Sequence, residues 1–177
     1  MDRELLNNIR NLHCLWREGH PDGKQADFTD ADLRYADLSG AELAGAIFRR
    51  ADLSHAECYE AGFEGADFVG AKLDDANLVE AELSGASFAW ASLKSANLLN
   101  AKLSHACLIN ADLSNAVLIN SNLMGADLTG ANMQWAYLEN ANLSYTMGDK
   151  ADFSNATLKN TNFQYALLQD ANFTKSK

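Results

Sequence analysis

The side chains that most often carry out catalysis form no recognisable constellation in this 177-residue sequence. Its histidines and cysteines are His13, His20, His55, His105, Cys14, Cys58 and Cys107. The cysteines lack CxxC spacing and are odd in number, which favours reduced thiols over a disulfide framework or a zinc site. No P-loop or GxGxxG motif is present, and no pattern pairs a serine or threonine with a general base. We therefore expect solvated histidines, no catalytic, metal-binding or cofactor-binding residue, and a protein that is not an enzyme.

The charge balance limits the partners further. The sequence has 24 acidic and 14 basic residues, a formal net charge of −10, and residues 26–75 alone contribute −8. Such a chain should repel nucleic acid, so we expect no direct nucleic-acid binding. No apolar run approaches the ~18 residues of a membrane span, and the first residues, "MDRELLNNIRNLHCLW", lack the order of a secretion signal. The expected location is the cytoplasm, without membrane attachment.

The elements that must position these side chains are encoded in a five-residue period. From Ala26 to Ala171 every fifth residue is alanine, except Ser121, Thr146 and Thr161, which gives 30 pentads without an insertion. The third residue of each pentad is leucine or phenylalanine, except at Cys58, Met133 and Gly148. A helix would spread these leucines around its axis, and a flat strand would alternate them between two faces. The chain must therefore bend after each pentad to keep the apolar side chains inside.

The fifth residue of the pentad indicates where the chain turns, and a second, longer period indicates how many turns complete one coil. The fifth residue is often glycine or asparagine, the residues that accept the positive φ of a type II turn. Phenylalanines at 28, 48, 68 and 88, and asparagines at 100, 120, 140 and 160, recur every 20 residues. Four bends per coil predict an all-β, square solenoid of about 7.5 coils, roughly 36 Å long at ~4.8 Å per coil.

Tandem A(D/N)LXX units, seen as "ADLSG", "ADLTG", "ANLSY" and "ADFSN", resemble the pentapeptide repeat family over residues 26–175. The resemblance implies a right-handed quadrilateral β-helix with the alanine and the central residue pointing inward, and only the resemblance gives the handedness. Residues 1–25 should form a cap, a short helix and a connecting turn, and residues 176–177 a tail. Asp2 can cap this helix, and one helical face should carry Leu5, Leu6, Ile9, Leu12 and Trp16. This helix can be a lid on the solenoid or a separate binding helix.

Three features of the repeats are candidates for function. Apolar and aromatic residues in the second half should face outward and form a partner surface, or be scattered singly: Leu99, Ile109, Val117, Ile119, Met124, Trp135, Tyr137, Tyr145, Tyr165 and Leu167. At the last coil, Phe153, Phe163 and Phe173 either plug the open end or join two copies in a homodimer. Gly148 removes one inward side chain, which predicts either a bulge or hinge with a partner site, or a packing fault covered by Met147 or Leu168.

Two functions remain open. The first is a rigid, non-catalytic scaffold or protein-interaction module with an unidentified protein partner, since several members of the family look like regulators or adaptors. The second is inhibition or protection of a type II topoisomerase (gyrase) by DNA mimicry, which the resemblance implies for some members. The net charge agrees with mimicry, but the charge is concentrated in about 2.5 coils, whereas a duplex carries about one charge per 1.7 Å throughout. No C-terminal dimerisation helix or inserted loop is present either.

Overall fold

The repeats wind into a parallel solenoid with a 20-residue register, as the computed structural model, which describes residues 3–177, shows. Each bridge joins a residue to the one 20 positions later, from Asp27 with Ile47 to Asp152 with Asn172. The ladder alternates in direction: the Phe28 N–H donates to the Ile47 carbonyl at 2.7 Å, and the Ile47 N–H donates to the Ala26 carbonyl at 2.9 Å. Within the described residues every bridge is isolated, because the chain turns before a longer strand can form.

Each corner is a turn with a left-handed residue. The fifth residue of all 30 pentads has a positive φ, and the N–H of the following alanine donates back across the corner, as from Ala31 to the Phe28 carbonyl at 3.0 Å. The expected glycines and asparagines are there, but Trp90 (φ 61°) and Tyr145 (φ 60°) adopt the same conformation. The inter-coil hydrogen bonds therefore impose on large residues a backbone conformation that they disfavour in isolation.

The second residue of the pentad explains why aspartate and asparagine are so frequent there. The side-chain Oδ1 accepts the backbone N–H two residues later, as at Asp27 with Thr29 (2.9 Å), Asp112 with Ser114 (3.0 Å) and Asn142 with Ser144 (3.1 Å). This N–H lies at the corner and does not take part in the inter-coil ladder. The acidic and amide residues thus satisfy a backbone donor that the turn would otherwise leave to water.

Four turns per coil give four faces, which we number by their first pentads: face one from 26–30, face two from 31–35, face three from 36–40 and face four from 41–45. Each face repeats every 20 residues. The alanines and central residues point inward and are almost all fully buried through Ala156. On face one the rings of Phe28, Phe48, Phe68 and Phe88 stack at centroid distances of 4.9, 4.6 and 4.8 Å.

The N-terminal helix α1, Arg3–Arg17, packs against the first coil. Leu6 is buried in the core and Ile9 packs against it, whereas Leu5 is 50% exposed and Trp16 is 40% exposed, so only part of the expected apolar face reaches the core. The expected cap, Asp2, lies outside the described residues. Within those residues no helix has the length and apolar character that crossing a membrane requires.

A buried histidine that the sequence analysis placed in solvent fastens α1 to the solenoid. The His13 ring accepts the Ala26 N–H at Nδ1 (3.0 Å), so Nε2 carries the proton and donates to the Ala44 carbonyl (3.1 Å). Desolvation lowers the pKa of His13, and the backbone bond to Ala44 opposes this shift. Arg17 forms an ion pair with Glu42 beside it (2.8 Å).

Candidate functional site

The outward apolar residues do not form one continuous surface. Leu99, Ile119 and Tyr137 lie on face three, with Trp135 at the corner next to Tyr137. Ile109 lies on face one. Met124, Tyr145 and Tyr165 lie on face four. The structure therefore divides the candidate surface into a group on face three and smaller groups elsewhere.

Face three carries the largest of these groups, which we call the face-three strip: Val79, Leu99, Val117, Ile119, Tyr137 and the corner residue Trp135. Two columns build it. Val117 bridges Tyr137 on the next coil, while Val79, Leu99 and Ile119 occupy the same position on successive coils. The aliphatic side chains are partly buried, and Trp135 and Tyr137 are 57% and 46% exposed. A recess opens beside the two rings, and its other lining residues are Asn155, Thr157, Lys175 and Lys177.

The charges along this strip are negative as far as residue 140, whereas lysines border its C-terminal end: Lys159 on face three, and Lys175 and Lys177 in the recess. Between residues 36 and 140, face three contains no lysine or arginine and five carboxylates: Asp37, Glu57, Glu60, Glu80 and Glu139. On the other faces carboxylates pair with cations, as in Arg50 with Asp30 (2.7 Å), Arg49 with Asp67 (2.5 Å) and Lys102 with Glu82. Among the described residues, no cation forms an ion pair with Glu57, Glu60, Glu80 or Glu139.

Two local observations show how these carboxylates affect their surroundings. The pKa of Tyr59 is raised, first by its hydrogen bond to Glu60 and then by the charges of Glu60 and Glu80. Further along the face, Glu139 Oε2 is covered from solvent and has no hydrogen-bond partner among the described residues. A covered carboxylate oxygen without a donor is unfavourable, so this end of the strip also favours a cation or N–H donor.

The backbone ladder of face three is complete between neighbouring coils. The Leu78 and Glu80 N–H groups donate to Asn97 (2.7 Å) and Leu99 (2.9 Å), and the Asn97 N–H donates to Ala76 (2.9 Å). Its far corner is an amide ladder in which each asparagine donates to the one before, from Asn160 through Asn140 and Asn120 to Asn100, at 3.1, 3.1 and 3.3 Å. Face three therefore offers side chains rather than a free strand edge, and the N–H groups that it leaves without an acceptor in the described part of the chain, such as those of Ile119 and Glu139, are single corner groups outside the ladder.

Face four carries a smaller aromatic group at its corner. Tyr145 and Tyr165 stack on each other with centroids 5.0 Å apart, and each exposes more than half of its surface. Met124 is exposed on the same face but precedes both rings in the stack of coils. Two members of the predicted surface lie on face one: Ile109, which is partly buried, and Leu167, which is 66% exposed three coils further along.

The aromatic rings at the C-terminal end contact one another. Phe153 is fully buried and stacks on Phe173 at 5.0 Å, while Phe163 meets both rings edge-on at 5.8 Å. Phe173 is still 37% exposed. In the described part of the chain, no carbonyl accepts the backbone N–H groups of Phe163, Leu168 or Phe173, the ladder donors of the last coil. The rings thus cover part of the coil end, and its hydrogen-bonding edge remains open.

Gly148 does not interrupt the coil. Its N–H donates to the Leu167 carbonyl at 2.7 Å, as any central residue does, and its φ is not positive. A Cβ built at Gly148 would lie 2.6 Å from Leu168 Cδ2, so Leu168 of the next coil occupies the missing side chain's space. Met147, the other residue considered, is 46% exposed and points outward.

Titratable groups elsewhere do not converge on a reaction site. Within residues 3–177 no three histidine, cysteine or acidic side chains are placed to hold a metal ion. His55 stacks on Tyr35 at 5.0 Å on face two, and burial raises the pKa of the Cys58 thiol well above its usual range. The grouping of apolar residues and carboxylates on face three was missed by the sequence analysis, which counted charge along the chain. Sorting the sequence by its 20-residue period would have found it.

Comparison with known proteins agrees with this geometry. The family model for pentapeptide repeats matches eight copies at residues 26–57, 61–98, 71–108, 106–144 and 149–177. HetL, a pentapeptide repeat protein involved in heterocyst differentiation regulation in the cyanobacterium Nostoc sp. strain PCC 7120, is 31% identical, with 84% of this chain and 77% of HetL covered and a TM-score of 0.53.

A more distant structure shares the fold alone. QnrB1, a plasmid-mediated fluoroquinolone resistance protein, is 17% identical, with 87% of this chain and 91% of QnrB1 covered and a TM-score of 0.50. No curated protein matches the chain. The repeat match extends over most of the sequence and coincides with the coils of the structure. The chain therefore belongs to the pentapeptide repeat family.

Proposed function

We propose that the protein is a non-catalytic interaction module of the cytoplasm that binds a protein partner through the face-three strip. The observation that carries this proposal is the coincidence, on one face, of the outward apolar side chains of the strip with glutamates that form no ion pair among the described residues. Apolar side chains contribute binding energy when a partner covers them, and rim charges select the partner.

The scaffold suits this role because it holds the strip rigidly. Each coil is bonded to its neighbours on all four faces, so the strip loses little conformational freedom on binding. A right-handed helix of about 7.5 coils, as the family resemblance implies, presents the strip along a flat side about 14 Å long, three steps of ~4.8 Å between the bridge residues Asn77 and Tyr137. HetL, which is involved in the regulation of differentiation, supports a regulatory rather than an enzymatic role.

Affinity capture from the source cells, followed by reconstitution, tests the proposal. Wild-type protein and the Ile119→Asp/Trp135→Asp variant serve as baits, with Ile109→Asp on face one as the matched control. We expect at least one protein bound by wild type and control but lost with the double variant, and the same pattern when that protein is purified and titrated. Identical binding to all three baits would show that the face-three strip is not the docking surface.

The second candidate is action on a type II topoisomerase by DNA mimicry. The net charge of −8 over residues 26–75 favours it. Arginines offset part of that charge, because Arg34 pairs with Asp32 and Arg50 with Asp30, both at 2.7 Å. A DNA-supercoiling assay with gyrase separates the candidates: inhibition or protection at micromolar protein supports mimicry, and the absence of any effect refutes it.

A further inference from the structure

We propose that the segment recognised by the face-three strip is a basic amphipathic α-helix of the partner protein. This inference rests on the proposed function, which assigns docking to this face. It adds the chemistry and conformation of the bound segment.

The basic character follows from charge complementarity. Glu57, Glu60 and Glu80 border the N-terminal end of the strip, and Glu139 borders its other end. A partner carrying carboxylates would meet three like charges at the N-terminal end of the strip, since the lysines of this face, Lys159 and Lys177, lie beyond Glu139. Lysine or arginine on the partner would instead be attracted to Glu57, Glu60 and Glu80 at the N-terminal end, and an N–H donor could satisfy the covered Glu139 Oε2 at the other end.

The helical conformation follows from the backbone of the face. An extended peptide usually gains affinity by adding a strand to a sheet edge. Face three offers no such edge, because the N–H groups and carbonyls around Leu78, Glu80 and Asn97 are already bonded to the adjacent coils. A bound segment must therefore be recognised through its side chains, and its own backbone hydrogen bonds must be made internally, as in a helix.

The spacing of the strip also fits a helix lying along the rod. Val79, Leu99 and Ile119 recur once per coil, which places them ~4.8 Å apart. A helix presents side chains of one face about every 5.4 Å, whereas a strand presents them about every 6.7 Å. A helix of about three turns covers the strip from Val79 to Tyr137, with apolar residues on its inner side and basic residues on its flanks.

Binding of a labelled synthetic peptide tests this inference on the intact chain. The probe is an 18-residue leucine–lysine peptide with helical periodicity, measured by fluorescence anisotropy. Two comparison peptides replace every lysine with glutamate or insert prolines that prevent the helix. We expect the basic helical peptide to bind and both comparison peptides to bind at least about tenfold more weakly. Equal binding of the glutamate peptide would refute the basic character, and equal binding of the proline peptide would refute the helix.

Variants of the protein locate the binding. Leu99→Asp/Ile119→Asp and the nearly isosteric Glu60→Gln/Glu80→Gln should each weaken binding at least about tenfold. The Asp127→Asn/Asp149→Asn control on face one, which removes as much charge as the glutamine variant, should leave affinity within about twofold. Equal weakening by control and strip variants would show non-specific attraction to an acidic protein and overturn the inference.

The two proposals can fail separately. A captured natural partner that loses binding to the strip variants, combined with no binding of the basic helical peptide, would overturn the partner class and leave the docking surface standing. A natural partner unaffected by the strip variants would overturn the docking surface, whatever the peptide does. Circular dichroism of each variant verifies the fold, and the glutamine variant changes no volume or backbone preference of consequence.

Discussion

Gly148 lacks the side chain that the other pentad centres have, and Leu168 of the next coil fills its place. A Cβ at Gly148 would come within 2.6 Å of Leu168 Cδ2, but no closer than 3.8 Å to the Cβ atoms of Ala151 and Leu128. Gly148→Ala should therefore displace Leu168 alone, since the backbone φ is acceptable to alanine. Overpacking of this kind costs about 1–2 kcal/mol of unfolding free energy.

Truncating Leu168 gives the second side of a double-mutant cycle. Leu168→Ala removes a half-buried side chain and leaves the space at Gly148 empty, which should cost about 2–3 kcal/mol. In the Gly148→Ala/Leu168→Ala double variant the new methyl group enters space that Leu168 has vacated. The double variant should thus be more stable than the sum of the single effects by about 1 kcal/mol.

Urea unfolding followed by circular dichroism measures the cycle, and hydrogen exchange of the Ala151 N–H, which donates to the Gly148 carbonyl, reports the same coil locally. The control cycle combines Gly148→Ala with Leu78→Ala, a fully buried residue several coils away, whose effects should add within about 0.5 kcal/mol. Additive effects of Gly148→Ala and Leu168→Ala would refute the idea that Leu168 completes the core at Gly148.

Three further predictions follow from the same structure. Burial lowers the pKa of His13 from 6.5 in the folded protein, so the His13 ring binds a proton more tightly in the unfolded chain than in the folded one. The attachment of α1 should therefore be strongest above pH 6.5 and weaken as the pH falls below it, as measured by hydrogen exchange of the helix, and His13→Gln should abolish that dependence. Ser95→Asn should raise the unfolding free energy by up to about 1 kcal/mol in urea titrations, since asparagine tolerates the positive φ (55°) at that corner better; a loss of stability would contradict this. If two copies meet at the coil end, light scattering should give twice 19.3 kDa, and Phe173→Asp should give the monomer mass; a wild-type monomer at high concentration would refute the homodimer.

The inward half of the pentad could be predicted because the core tolerates few alternatives. An alanine and a large apolar residue two positions later can share an interior only if the chain bends every five residues, and the 20-residue recurrence of Phe48, Phe68 and Phe88 gave the register that their stacked rings adopt. The residues that replace alanine at the first position of a pentad are accommodated by hydrogen bonds to nearby backbone carbonyls. The Ser121 and Thr146 hydroxyls, for example, each donate to the carbonyl three residues earlier.

The residues at the corners and in the cap were harder to predict, because backbone hydrogen bonds determine their conformation and burial, and the polarity of the side chain does not. Trp90 adopts a left-handed conformation since the ladder around it fixes the corner. His13 is buried since its two ring nitrogens match one backbone donor and one backbone acceptor of the first coil, which become neighbours only after the solenoid has formed. Helical periodicity alone predicted the same apolar face for Leu5 and Leu6, although only Leu6 reaches the core.

The candidate site shows why a linear reading of charge misled. Counted along the chain, residues 76–125 carry a net charge of only −1, because Lys94 and Lys102 nearly offset the acidic residues in that window. Those lysines lie on faces two and four, where they pair with Asp112 (3.5 Å) and Glu82. At a Debye length of about 8 Å, a partner on face three interacts mainly with the charges of that face and of its corners, where Lys102 lines a recess with Glu60 and Glu80. A partner therefore experiences mainly the charge of one column of coils, and for a solenoid the residues to be summed are those 20 positions apart.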